Sequence, residues 1–144
     1  MTLKTINYTS DYGYTLERAH EHDAGMDIKS AELVTIAPGS HAVVGTGIKI
    51  ESPVGYAAFI CSRSGLAAKC GVFVLNSPGV IDAGYEGELK VILANHGQKA
   101  HTVQKGDRIA QALVVPVETP SPMFQTSLFA GSERGSGGLG STGK

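Results

Sequence analysis

The last fourteen residues, 131–144, read GSERGSGGLGSTGK, with six glycines and one large apolar residue, Leu139. No hydrophobic period survives in this stretch, so it buries too little surface to fold by itself. Its polar content suits anions. Glycine lets backbone N–H groups approach an oxygen closely, and the guanidinium of Arg134 matches the spacing of phosphate oxygens. Two readings stand side by side: a solvated terminus, or an arm that orders over a phosphorylated ligand. Arg63-Ser64-Gly65 offers the same chemistry at the opening of a short helical stretch, where free N–H groups and the positive dipole end favour phosphate. The plain alternative there is an N-cap beside a solvated arginine.

The segment from Asn76 to Glu88, NSPGVIDAGYEGE, carries a different set of groups. Asn76 has the acceptor and donors that a pyrimidine edge requires. Val80-Ile81-Asp82 sets a carboxylate beside apolar residues, a setting for a general base. Tyr85 adds a flat apolar face. A hairpin with a turn aspartate and a packed tyrosine would account for each residue singly. In Gly106-Asp107-Arg108-Ile109-Ala110-Gln111 a turn feeds a strand, with a surface ion pair as the plain reading. In Asp23-Ala24-Gly25-Met26-Asp27-Ile28, Asp27 lies among apolar residues near a strand start, or caps a turn.

These groups must be held by strands. Segments His41–Ile50, Tyr56–Ser62, Val72–Leu75, Glu88–Asn95 and Ile109–Val117 are short, rich in Val, Ile, Ala and Phe, and bounded by Gly, Pro, Asn or Asp. Gly45 to Glu51 alternates inward and outward residues, as a half-exposed strand does. Pro38-Gly39, Ser52-Pro53, Pro78-Gly79 and Gly106-Asp107 are turn signals. Many short strands at this spacing predict an all-β sandwich, barrel or jelly roll. One helix is predicted, with Ser64 as N-cap of residues 65–69 and Gly71 just past its end. Beyond Val117 the pattern stops, and Glu118-Thr119-Pro120-Ser121-Pro122 reads as an extended linker. The division expected is therefore a β-domain over 1–117, followed by a proline linker and arm over 118–144.

A chain of 144 residues suggests one domain with an adequate core. The formal charge of −1 offers no basic excess for duplex nucleic acid. No apolar run reaches membrane-span length, and the N-terminus has no apolar signal region. A cytoplasmic protein is expected, or one in a host cytoplasm if its source is viral. Cys61 and Cys70 fit reduced thiols and give no zinc pattern. His20 and His22 lie close together without further ligands.

Taken in order, AGMDI, SRSGLA, NSPGVIDAGYEGE, GDRIAQ and RGSGGLGSTG resemble the five-motif series of the homotrimeric dUTP pyrophosphatases, the dUTPases. The resemblance runs from Ala24 to Gly143. Five motifs in order are far more specific than one glycine motif. The resemblance implies a jelly-roll-like β-barrel, assembled as a homotrimer whose active sites draw on more than one subunit. It also implies hydrolysis of dUTP to dUMP and pyrophosphate, which limits uracil in DNA and supplies dUMP for thymidylate synthesis.

By that resemblance, Asp82 would deprotonate the water that attacks the α-phosphorus. Mg2+, held mainly by the triphosphate and waters, would neutralise charge, with Asp27 meeting it through water. Arg63, Ser64 and Gly65 would hold phosphate oxygens, and Gln111 would reach the α-phosphate. Asn76 and the backbone at Val80 and Ile81 would read uracil in a pocket too tight for a 5-methyl group. Tyr85 would pack under the deoxyribose and exclude a 2′-hydroxyl. Lys90 occupies a position often used near the nucleotide. In the arm, Arg134 would pair with the γ-phosphate, and Gly140, Ser141 and Thr142 would wrap the triphosphate. Asp107 would latch Arg134 when the arm closes.

Three positions depart from the family pattern. Leu139 stands where an aromatic usually covers the uracil. Gly84 replaces a frequent aspartate, and Cys61-Ser62 precede Arg63 where proline is common. Two other classes share the fold: dCTP deaminases, which need a different base-reading set, and nucleotide-gated binders of regulatory proteins. VIDAGY and the glycine arm argue against the first and leave the second as an added role.

Overall fold

Short runs rich in branched apolar residues, some alternating with polar ones as in Ile48–Glu51, form extended backbone. The computed structural model describes residues 5–128, 131–140 and 143. In chain order its elements are β1 (Asn7–Ser10), β2 (Met26–Lys29), β3 (Val34–Ile36), β4 (His41–Gly45), β5 (Ile48–Glu51) and β6 (Tyr56–Cys61). There follow α1 (Ser64–Cys70), β7 (Val72–Val74), β8 (Gly79–Ile81), β9 (Lys90–Asn95), β10 (His101–Val103) and β11 (Arg108–Pro116). All the strand ladders are antiparallel. One sheet runs β2-β11-β6-β8 and another β4-β9-β7, with the ribbons β1-β5 and β10-β3 beside them. The arrangement is jelly-roll-like, but among the described residues these ladders do not join into one continuous barrel.

The core lies between the two larger sheets. Ile28, Ile36, Val44, Ile48, Val72, Val74, Leu89, Val91, Leu93, Val103 and Ile109 are all buried there. Burying a leucine such as Leu93 contributes roughly 2 kcal/mol. The five expected strand segments are found, with one division. His41–Ile50 breaks at Thr46-Gly47, where Gly47 takes φ +67° and turns the chain from β4 into β5. The Glu88 carboxylate fixes this corner by accepting hydrogen bonds from the N–H groups of Thr46 (3.0 Å) and Gly47 (2.9 Å). Past the corner, Ile48 and Ile50 point inward while Lys49 and Glu51 point outward, as the alternation predicts.

The expected cap of α1 is corrected. Arg63, with extended φ and ψ, is the N-cap and makes no side-chain cap bond, so Ser64 is the first helical residue. Serine's side chain caps only from the residue whose backbone is still extended, and the helix begins one residue earlier than expected. Gly71 does end the helix in the left-handed conformation, donating to the carbonyls of Ala67 and Leu66.

Strand β11 departs from strict alternation. Against β2 its register shifts between Arg108 and Ala110. Ile109 and Ala110 are both buried, as a bulge requires, because two neighbouring side chains then turn to one side. Among the described residues no helix is long and apolar enough to cross a membrane.

Candidate active site

The four-stranded sheet and the start of α1 bring three of the sequence segments together. Asp27 on β2 sits opposite Gln111 on β11, and Gln111 sits opposite Cys61 on β6. Asp27 is half-buried between two arginines. Arg63 Nε lies 3.5 Å from Oδ1, and Arg108 Nη1 lies 3.3 Å from Oδ2. Arg63 also donates from Nη1 to the Arg108 carbonyl at 2.9 Å, which ties the helix start to the head of β11. Two cations around one carboxylate leave a surplus of positive charge, the condition for anion capture.

Gln111 is fixed from two directions. Its Nε2 donates to the Ser62 carbonyl at 2.9 Å, and its carboxamide lies directly on Gly25. A Cβ at position 25 would overlap Oε1 and stand 3.0 Å from Cδ and 3.2 Å from the glutamine's own Cβ. Three clefts meet here. One of about 390 Å3 is lined by Glu17, Arg18, Asp27, Lys29 and Arg108. A second of about 330 Å3 is lined by Asp27, Cys61, Gln111 and Leu113. A third of about 260 Å3 is lined by Arg63, Leu66, His101, Asp107 and Arg108. Ser64 and Gly65 open α1 beside these clefts, both exposed, and the space where a side chain at position 65 would stand is empty.

Arg108 is the residue that sequence reasoning missed. The expected surface ion pair between Asp107 and Arg108 does not form. Asp107 turns back to accept from the Gln104 N–H at 2.8 Å, and Arg108 reaches across to Asp27 instead. The signal was the pairing of β2 with β11, which no local pattern reveals.

The hairpin segment makes a second group. β8 pairs with β6, setting Val80 opposite Phe59 and Ile81 opposite Ala58. Val80 is outward and exposed while Ile81 is half-buried. The Asn76 amide lies 3.3 Å from where a Cβ on Gly79 would stand. Asp82 is exposed, and among the described residues its carboxylate has no hydrogen bond or ion pair. A turn follows, in which the Tyr85 N–H donates to the Asp82 carbonyl at 3.2 Å and Gly84 takes φ +87°. The glycine at position 84 thus serves the turn's left-handed backbone. Lys90 opens β9 opposite Gly45, in the other large sheet, and is exposed.

Among the described residues, no hydrogen bond or ion pair joins the arm to either group. Arg134 Nε donates to the Gly137 carbonyl at 2.9 Å, and among the described residues no ion pair joins Arg134 to Asp107. Leu139 is fully exposed at φ +39°, and Gly140 follows it. Ser141 and Thr142 lie outside the described residues. The two nearby histidines are not a pair either: His20 Nδ1 bonds Asp23 at 2.9 Å, and this hydrogen bond holds the Asp23 carboxyl below its ordinary value.

Comparison with known proteins gives this geometry its context. A sequence model of the dUTPase family matches residues 11–143. A deoxyuridine 5′-triphosphate nucleotidohydrolase of Clostridium tetani is 52% identical over 126 residues, covering 88% of this chain and 86% of that one. A protein of the same name from Tropheryma whipplei is 47% identical over 141 residues, covering 97% and 96%. Among solved structures, a variant of the Staphylococcus bacteriophage 80alpha dUTPase with dUpNHpp superposes with a TM-score of 0.89 at 30% identity, covering 99% of this chain and 100% of that chain. A phage phi11 dUTPase variant, described with a structural Mg(II) ion, superposes at 0.79 with 29% identity, covering 89% and 100%. On a family match that spans nearly all of its length and relatives about half identical to it, the chain belongs to the dUTPase family.

Proposed function

We propose that three copies of this dUTP-hydrolysing chain share three active sites, each built on the Asp27–Arg63–Gln111 cluster and closed by an arm. The observation that carries the reading is that cluster: three segments far apart in sequence supply two guanidinium groups, a carboxamide and an open helix start on one patch. Arg63 and the N–H groups of Ser64 and Gly65 take phosphate oxygens. Gln111, held by Gly25 and Ser62, orients its carboxamide toward the α-phosphate. Asn76 and the backbone at Val80 and Ile81 read the uracil edge. Tyr85 lies under the deoxyribose, and Lys90 approaches the nucleotide from β9. Asp82 accepts a proton from the water that attacks the α-phosphorus, and pyrophosphate leaves. Among the described residues its carboxylate has no hydrogen bond or ion pair, which supports that role, since a base must be free to reach its water.

Magnesium fits this donor set in one way. Among the described residues no group of three or more His, Cys, Asp or Glu side chains is gathered around a point. Asp27 presents one carboxylate, flanked by arginines but with lone pairs left to accept from a metal-bound water. An ion carried chiefly by the triphosphate and waters suits it. When bound, it neutralises phosphate charge and fixes the phosphate geometry.

Residues 1–117 serve as the catalytic β-domain, and 118–144 as linker and arm. Val117 still donates to the Gly55 carbonyl at 2.9 Å, whereas the residues described from Glu118 to Leu128 are exposed. Met123, Phe124 and Leu128 are uncovered apolar side chains on that linker, which suits a neighbouring subunit. Arg134, Leu139 and Gly140, with Ser141 and Thr142, then cover the nucleotide, and Asp107 latches Arg134.

The reading is tested by pyrophosphate release with magnesium from dUTP, run beside dCTP, dTTP and UTP. Hydrolysis of dUTP alone is expected. Ammonia from dCTP would move the chain to the deaminase branch. A second expectation concerns Gly25. Gly25→Ala should displace the Gln111 carboxamide by a few tenths of an ångström or more and lower kcat roughly tenfold with little change in melting temperature. Steady-state kinetics beside a thermal melt check this, and unchanged kcat would remove Gln111 from the α-phosphate.

A further inference from the structure

We infer that Gly87 is a positioning residue for sugar selection, its bare Cα being the platform on which the Tyr85 ring is set at a fixed height. The inference rests on the reading that Tyr85 packs under the deoxyribose. Beyond that reading, it assigns the height of the ring to a residue that touches no substrate.

The ring folds back over position 87. A Cβ there would lie 2.5 Å from Cζ and 3.0 Å from Cε2, and closer still to the hydroxyl oxygen. The hydroxyl donates to the Glu88 carbonyl at 3.1 Å, so the ring is pinned at its far end as well. The platform is itself anchored. The Glu88 carboxylate accepts from the N–H groups of Thr46 and Gly47, and the Leu89 N–H donates to the Ile48 carbonyl at 2.7 Å. At the near end, the Tyr85 backbone is tied to the Asp82 carbonyl. The ring is thus held between the residue that takes the proton and the corner joining β4 to β5. Tyr85 is nonetheless 47% exposed, which leaves ring surface for a ligand.

Any side chain at 87 must move the ring. Non-bonded carbons rest about 3.5–4.0 Å apart, so a methyl group there would push the ring out by about 1 Å. The move is inexpensive for the fold, because the displaced atoms are the outer end of an exposed side chain. Gly87 also has none of the left-handed φ that would bar alanine. The cost falls on selectivity. Rejecting a 2′-hydroxyl depends on leaving no room for one oxygen, and a shift of about 1 Å supplies that room.

The test compares kcat/KM for dUTP and UTP in the full-length chain and in Gly87→Ala, Tyr85→Ala and the double variant. We expect Gly87→Ala to lower the dUTP:UTP ratio roughly tenfold, and the double variant to match Tyr85→Ala alone, because Gly87 acts through the ring. If Tyr85→Ala relaxes the ratio and Gly87→Ala leaves it unchanged, the inference fails while the sugar reading stands. If Tyr85→Ala leaves the ratio unchanged, the sugar reading fails and the inference falls with it. A double variant less selective than Tyr85→Ala also overturns it. Should Gly87→Ala not fold, a folded double variant would locate the clash at the ring and support the inference, and an unfolded one would overturn it.

Discussion

Turnover of dUTP by Asp82→Asn should fall by about a thousandfold, the scale of a positioned general base, while binding of a non-hydrolysable dUTP analogue changes little. Asparagine keeps the shape and removes the basic oxygen. Asp82 has no side-chain partner within the chain among the described residues, so no internal bond is lost with its charge. The turn that follows uses its backbone carbonyl, bonded to the Tyr85 N–H, and that bond is indifferent to the side chain. Single-turnover kinetics paired with calorimetric titration separates the two effects. Near-normal turnover would place the base elsewhere. Weakened binding that accounts for the whole loss would make Asp82 a substrate-holding group.

Removal of residues 131–144 is expected to lower kcat/KM for dUTP about a hundredfold or more, on the scale of losing oriented charge at the reacting phosphates. The melting temperature and the assembly size should stay near those of the full chain. The arm's described bonds are local, among them Arg134 to the Gly137 carbonyl and the Gly135 N–H to the Ser132 carbonyl, and each joins residues three apart. None of its described residues belongs to the buried core. Kinetics, thermal melting and sedimentation of the truncated chain check all three expectations. Equal hydrolysis with and without the arm would end its role as a lid, and a lower melting temperature would make it a structural element.

Much of the fold was readable because it depends on short-range pattern. Ile48 and Ile50 inward with Lys49 and Glu51 outward is a period of two written in four residues, and Gly71 marks a helix end by its own conformational freedom. What was not readable depends on which strands meet. β1, β3 and β10 are three or four residues long, too short to show a period against their surroundings. The site divides the same way. Asp27, Arg63 and Gln111 stood out by type and motif, but the partnership of Asp27 with Arg108 follows from long-range pairing. Ser64 was misread by one residue because capping depends on where the backbone turns, which the serine itself does not fix. The roles of Gly25 and Gly87 escaped notice for another reason: a glycine that matters for what fits above it looks, in sequence, like a glycine that matters for φ.

The break in alternation on β11 bears on how this chain can change over generations. Arg108 and Gln111 are three positions apart, and along an unbroken strand they would face opposite ways. The shifted register between Arg108 and Ala110 turns both toward β2, where one meets Asp27 and the other sits opposite it. Loss of one codon at Ile109 or Ala110 would leave Arg108 and Gln111 two positions apart, on one face of a regular strand. The shifted register and a one-residue deletion are therefore two routes to the same presentation of the pair. With both buried residues in place, it is the irregularity itself that must be kept, because a lineage that lost it without losing a residue would turn Arg108 and Gln111 to opposite faces.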